Sequence, residues 1–381
     1  MMTTAATRDL QSTVAGPVLH LAFELGQWKW KLGFSIGLGQ RPRVRIMAAR
    51  DVPQLAYEIA RAKERFGLSA KAPVVSCYEA GREGFWLHRW LVAHEVANHV
   101  VDSASIEVNR RKRRAKSDRL DVGALLRQLI RYLAGEPKVW SVVRVPTVLE
   151  EDQRQLHREL LTAKRDRARV TNRMKGLLAN QGVVVQVGAG FLAELAALEL
   201  WDGTALPPGL RVRLEREWAK VELFTAQIRQ LEGERDEQLR SGTASALELV
   251  RQLLRLRGIG VNSAWLYVME FFGWREFRNR REVGGLAGLA PTPYQSGEMS
   301  REQGIAKAGN RYIRAMAIEI AWGWLRFQPD SALSRWYQER FGEGSSRIRR
   351  IGIVALARRL LVELWRYLET GVVPEGAVLK A

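Results

Sequence analysis

The run VLHLAFELGQWKWKLGF, Val18 to Phe34, alternates large apolar residues with polar or small ones and breaks near Gly26. A period of two puts every second side chain on one face, so the run predicts two short strands joined at Gly26, with Glu24 interrupting the first. Working outward, PVVSCY (Pro73 to Tyr78) repeats the strand signal, ends on Glu79 and leads into a helical stretch through Phe85, Trp86, Trp90 and Val92. A third strand signal, NHVVD, spans Asn98 to Asp102 and precedes a highly basic run. Strands that alternate with helical patterns and carry acids at their ends predict an α/β domain over residues 18–145. The first seventeen residues are polar and aperiodic, and the expectation is that order begins at Val18.

Pro137 and Pro146 punctuate the chain before the pattern changes. Leu156, Leu160, Ala163, Arg167, Val170, Met174 and Leu177 then recur at steps of four and three, as do Leu214, Trp218, Val221, Phe224, Ile228 and Leu231. Both are helical seams, so residues 146–245 predict an antiparallel helical hairpin with a Gly- and Pro-bearing tip between Gly182 and Gly209. Such an arm serves either as an internal helix pair or as a dimerising or RNA-gripping coiled coil. Residues 246–372 predict a third, mostly helical domain with Gly-rich breaks. The fold class is therefore α/β plus α.

Lys and Arg number 60 against 41 Asp and Glu, a formal charge of +19. That excess selects a polyanion as partner, because neutralising phosphates releases condensed counterions. No stretch of about 18 uncharged apolar residues exists to cross a membrane, and the N-terminus has no signal-peptide layout. The single cysteine, Cys77, excludes an internal disulfide and a cysteine-rich zinc site and fits a reducing cytoplasm. His94 and His99, five apart, do not align on one helix face, which argues against a histidine metal site. There is no GxGxxG after a strand and no P-loop, so a nucleotide-cofactor enzyme is not indicated.

Four acids form the main constellation: Glu24, Glu79, and Asp118 with Asp121 in KSDRLD. Positions three apart share a helix face, so the two aspartates present carboxylates side by side at a helix start. Converging carboxylates stay ionised only around a cation, and hard oxygen ligands select Mg²⁺ or Mn²⁺. Such ions can activate an attacking oxygen and stabilise a leaving one in phosphoryl transfer. Each acid taken singly reads equally as a cap or a solvated charge. Just before the pair lie Arg110, Arg111, Lys112, Arg113, Arg114 and Lys116, either a solvated face or a nucleic-acid contact. In LRGIGVNSA, Gly258 and Gly260 resemble a helix-hairpin-helix turn whose amides approach a phosphate, or a plain helix connection. Ser296 precedes Gly297 in a Pro- and Gly-rich loop, followed by Arg301, Lys307, Arg311 and Arg314 in or near a helix. A serine hydroxyl attacks phosphorus only if activated, and cations must neutralise the charge that develops.

Taken in order, KSDRLD with the preceding VVDSASIEVNRRKRRA, the strand ending in YEAG, and GLAPTPYQSG followed by IAKAGNRYIR resemble the DEDD transposases of bacterial insertion sequences, the bridge-RNA-guided recombinases. The resemblance spans nearly the whole chain. It implies an N-terminal RuvC-like (ribonuclease H fold) domain, a coiled-coil middle and a C-terminal transposase domain. It also implies that Glu79, Asp118 and Asp121 are metal-binding acids and that Ser296 forms a covalent phosphoserine link to DNA. A noncoding guide RNA and assembly into a dimer or tetramer belong to the same implication, as does a cytoplasmic, nucleoid-associated location. One departure stands out: the first acid of that family is usually aspartate, and this strand offers Glu24.

The leading expectation is a transposase that cuts and rejoins DNA with Mg²⁺ held by Glu24, Glu79, Asp118 and Asp121 and with Ser296 as nucleophile. Two rivals remain: a RuvC-like nuclease or junction resolvase that uses water, and a DNA- or RNA-binding transposase relic without catalysis.

Overall fold

Leu19–Leu25 and Lys29–Ser35 form β1 and β2, an antiparallel pair in which Glu24 faces Lys31. A third strand, β3 (Arg43–Ala48), extends the pair on the far side of β2, and helix α1 (Val52–Arg65) follows it. Sequence periodicity had not marked either element. β3 is an edge strand, and its arginines pair with Glu58 of α1, buried at 6% side-chain exposure, so charge occupies the positions where apolar residues would have signalled a strand. The computed structural model describes residues 16–106, 118–136, 139–296 and 299–380, with side chains at all of these but 104, 118–121, 293–296 and 299–303.

β4 (Val74–Glu79), α2 (Trp86–Ala93) and β5 (Val96–Val101) complete a five-stranded sheet of order β3-β2-β1-β4-β5. β1 runs parallel to β4, and β4 parallel to β5. Leu19, Leu21, Phe23, Trp30, Leu32 and Phe34 point to one face and pack against α1 and α2. The opposite face carries Ala22 and Cys77, covered by Leu125, Leu126 and Leu129 of α3 (Asp118–Leu133). The period-two pattern of the opening stretch is thus the division between two cores.

Residues Met1–Pro146 form one compact unit and Thr147–Ala381 a second. The second begins with the hairpin of α4 (Val148–Ala179) and α6 (Pro208–Ser241), with the short α5 (Phe191–Leu195) near its tip. A reciprocal cap starts α4: Thr147 Oγ1 accepts from the Glu150 amide at 3.1 Å, and Glu150 Oε2 accepts from the Thr147 amide at 2.6 Å. Leu160, Ala163, Val170 and Met174 meet Leu214, Trp218, Val221, Ile228 and Leu231 along the buried seam.

The remainder packs α7 (Ser245–Leu254), α8 (Val261–Tyr267), α9 (Arg280–Leu286), α10 (Arg311–Phe327), α11 (Ala332–Tyr337) and α12 (Ser346–Thr370) around Trp265, Phe271, Trp324 and Leu360. A two-stranded sheet, β6 (Pro291–Ser296) with β7 (Met299–Ile305), projects between α9 and α10. The expected loop around Ser296 is therefore a β-hairpin, and Arg301 lies on its second strand. Pro291, Pro293, Gly297 and Gly304 interrupt the segment and mask the alternation of PTPYQS and MSREQGI.

Candidate active site

Strand parity places the first two acids. Glu24 lies two residues beyond Ala22 on β1, and Glu79 two residues beyond Cys77 on β4, so both share the sheet face that α3 covers. The strands are parallel and in register through Phe23 and Tyr78, which sets Glu24 and Glu79 next to each other at the same carboxyl edge. The C-terminal edge of parallel strands is where open α/β sheets place their ligand sites. A cleft of about 240 Å³ lies there, lined by Glu24, Glu79, Arg82, Glu83 and, from α3, Leu125.

Asp118 opens α3 and Asp121 lies one turn on. They stand seven and four residues before Leu125, on one stripe of that helix. α3 crosses the same sheet face, with Val122 over Gly33 of β2 and Leu125 at the cleft. The packing of α3 on the sheet depends on Gly33 of β2: a Cβ there would collide with the Cγ1 of Val122, the residue after Asp121. Among the described residues no group of three or more acids, histidines or cysteines is arranged to hold a metal, and the side chains of Asp118 and Asp121 are outside that set.

Glu24 is 30% exposed and accepts from Lys31 Nζ at 3.4 Å, a pair across the β1–β2 ladder. Glu79 is exposed. Sequence reasoning missed Glu83, which lines the same cleft at 4% side-chain exposure and is held by Arg50 through two bonds of 3.0 and 2.6 Å. Its only signal was proximity to Glu79 in YEAGREG. Arg82 brings a cation to the cleft and donates to Gln27 Oε1 at 2.7 Å. The basic run from Arg110 to Lys116 lies outside the described residues.

Ser296 pairs with Met299, the last pair of the β6–β7 ladder. Its hairpin stands on two interlocked glycine segments: the Asn310 amide donates to Leu286 O at 2.9 Å and the Lys307 amide to Gly288 O at 3.2 Å. Gly288 (φ +70°) and Gly309 (φ +104°) adopt left-handed backbone where any Cβ would strike Ala308 O and Leu286 O respectively. Arg314 Nη1 donates to Lys307 O at 2.9 Å, and Arg311 stacks over Tyr312 at 4.9 Å. Lys307, Arg311 and Arg314 therefore gather at the hairpin's base, about 17 Å along the strand from Ser296.

Gly258 and Gly260 separate α7 from α8, as a helix-hairpin-helix turn requires. Gly258 (φ +91°) allows a close approach to Phe327. The Gly260 amide, however, donates to Ser263 Oγ at 3.2 Å and is already used.

Comparison with known proteins agrees over both units. A profile of the transposase IS116/IS110/IS902 family matches residues 250–337, the segment that contains the serine hairpin. The protein y4rJ of Sinorhizobium fredii (strain NBRC 101917 / NGR234), whose name designates a transposase, is 40% identical over 375 residues, covering 95% of this chain and 94% of its own. The transposase for insertion sequence element IS1328 of Yersinia enterocolitica is 28% identical over 166 residues, 44% of this chain and 48% of that protein. The transposase for IS1111A of Coxiella burnetii is 25% identical over 218 residues, 55% of each chain.

Proposed function

The chain belongs to the IS116/IS110/IS902 transposase family, whose members cut and rejoin DNA, and from that premise we propose that it does so through a carboxylate cleft and a serine nucleophile. The observation that carries this reading is the parallel pairing of β1 with β4, which sets Glu24 beside Glu79 at a cleft that Leu125 of α3 also lines. The strand order β3-β2-β1-β4-β5, antiparallel on one side of β1 and parallel on the other, supports assigning the sheet to the RuvC-like class.

Glu24 and Glu79 offer hard oxygen donors suited to Mg²⁺ or Mn²⁺, joined by Asp118 and Asp121 at the first turn of α3. A divalent ion held there supplies Lewis acidity to the scissile phosphate. With its first turn at the ion, α3 would add the positive end of its macrodipole to the field that phosphate oxygens meet. Ser296 Oγ attacks phosphorus; the Oγ–P bond forms as a P–O bond of the strand breaks, and the leaving strand oxygen takes the proton that the hydroxyl gives up. The phosphoserine keeps the bond energy for rejoining. Lys307, Arg311 and Arg314 at the hairpin's base hold neighbouring phosphates. A noncoding RNA from the element's own locus directs the strands, and several protomers act together.

The test incubates the protein with that RNA, the flanking DNA and Mg²⁺, and looks for an SDS-resistant DNA adduct mapped by mass spectrometry. An adduct on Ser296 that needs Mg²⁺ and disappears in Ser296→Ala supports the proposal. Cleavage without an adduct assigns a water-using nuclease, and tight binding without any product assigns a non-catalytic binder.

A further inference from the structure

Between the arm and the helical core of the second unit lies a pocket of about 380 Å³. Leu160 and Leu161 of α4, Val261 of α8, and Met316 and Ile320 of α10 form apolar walls. Its polar groups come from four directions and carry both donors and acceptors.

His157 lines the pocket at 1% exposure, and neither ring nitrogen has a hydrogen-bond partner among the described residues. Burial, aided by Arg235, holds its pKa down to about 4, so at neutral pH the ring is uncharged and presents one donor and one acceptor. Arg235 is 6% exposed; its Nη1 donates to Asn262 Oδ1 at 2.5 Å, and its Nε has no partner among the described residues. That bond occupies the Asn262 carbonyl and leaves its amide protons as donors. Glu319 adds an exposed acceptor at the rim, and Lys164, paired to Glu232 at 2.6 Å, a cation. Buried polar groups without partners are costly, each by about 1–3 kcal/mol, and need an explanation.

Charges of both signs disfavour a bare phosphate. Apolar walls with a neutral donor–acceptor ring and an amide edge suit a flat heteroaromatic ring that has donors and acceptors on its own edge. We propose that this pocket receives a single nucleobase unstacked from the strand that the protein handles, walled by Leu160 and Met316 and read by His157 and Asn262. The proposal rests on the nucleic-acid reading above but not on its chemistry. A base lodged there ties the strand to the root of the arm, and the pocket discriminates one nucleotide position.

Single-stranded oligonucleotides from the element's own ends, in deoxy and ribo form and with 5-bromouracil at successive positions, are bound to the full chain in EDTA and irradiated. The expected result is a crosslink confined to one position and mapped to residues 157–164, 260–263 or 316–320. Met316→Trp, which fills the pocket without changing charge, should remove that crosslink and weaken binding about tenfold; Leu161→Trp does the same from the opposite wall if the first variant folds poorly. The deoxy and ribo arms tell which strand supplies the base. Binding with crosslinks only elsewhere, or with both tryptophan variants at full affinity, overturns this inference alone. Failure to bind any oligonucleotide overturns the nucleic-acid reading with it.

Discussion

Glu24 is the residue on which the catalytic reading turns, because it is one methylene longer than aspartate and is already paired to Lys31 at 3.4 Å. A shift of about an ångström in a reacting group costs about 100-fold in rate. Glu24→Gln should therefore abolish strand cleavage at unchanged thermal stability, and Glu24→Asp, which draws the carboxylate back by about that distance, should slow it by about 100-fold; a Glu24→Gln protein with full activity would remove this residue from the ligand set. Two histidines set a pH limit on the fold instead. Burial, reinforced by His88 for His99 and by Arg235 for His157, holds both at about 4 against the ordinary 6.5. Between those values the unfolded chain binds protons that the folded chain does not, so the contribution is complete above about pH 6.5 and is lost as pH falls toward 4. Each is worth at most about 3 kcal/mol. Urea unfolding at pH 7 and pH 5 should show the loss, and His99→Phe, which keeps a ring against Tyr132, should flatten its share.

At the scale of elements, two close approaches position the site. Val122, the residue after Asp121, seats on the sheet where Gly33 has no side chain to meet it. Gly33→Val should overpack this contact at a cost of about 1–3 kcal/mol and displace the acid-bearing turn. Activity should fall far more than the melting temperature; parallel losses would mean that the turn does not depend on Gly33. The serine hairpin depends likewise on Gly309, whose left-handed backbone abuts Leu286 O. Gly309→Ala should cost about 1–3 kcal/mol and suppress the Ser296 adduct, as read by differential scanning calorimetry beside the adduct assay. The strands of the opening stretch and both arm helices were readable from periodicity, since a buried face imposes a fixed spacing. β3 was not, because its arginines face Glu58 of α1 instead of a core. The β6–β7 hairpin was hidden by prolines and glycines that ordinarily mark loops.

At the scale of the molecule, the charge of +19 predicts binding whose strength falls steeply with salt. Between 50 and 200 mM salt, affinity for duplex DNA should drop by about 10³ or more, measured by fluorescence anisotropy; a flat response would mean that few phosphates are contacted. No helix among the described residues is long and apolar enough to cross a membrane. From the sequence alone came the alternating strands, the helical arm, the basic character, and the acids and serine as candidates, since each is a property of local order or composition. Tertiary structure alone decided that Glu24 and Glu79 stand side by side, because strands 55 residues apart become neighbours only through parallel pairing. It alone put Glu83 in the cleft, set Lys307, Arg311 and Arg314 at the far end of the hairpin from Ser296, and enclosed His157 in a pocket. Those are long-range placements, and periodicity, which reports only which face of an element is buried, carries no information about what that face meets.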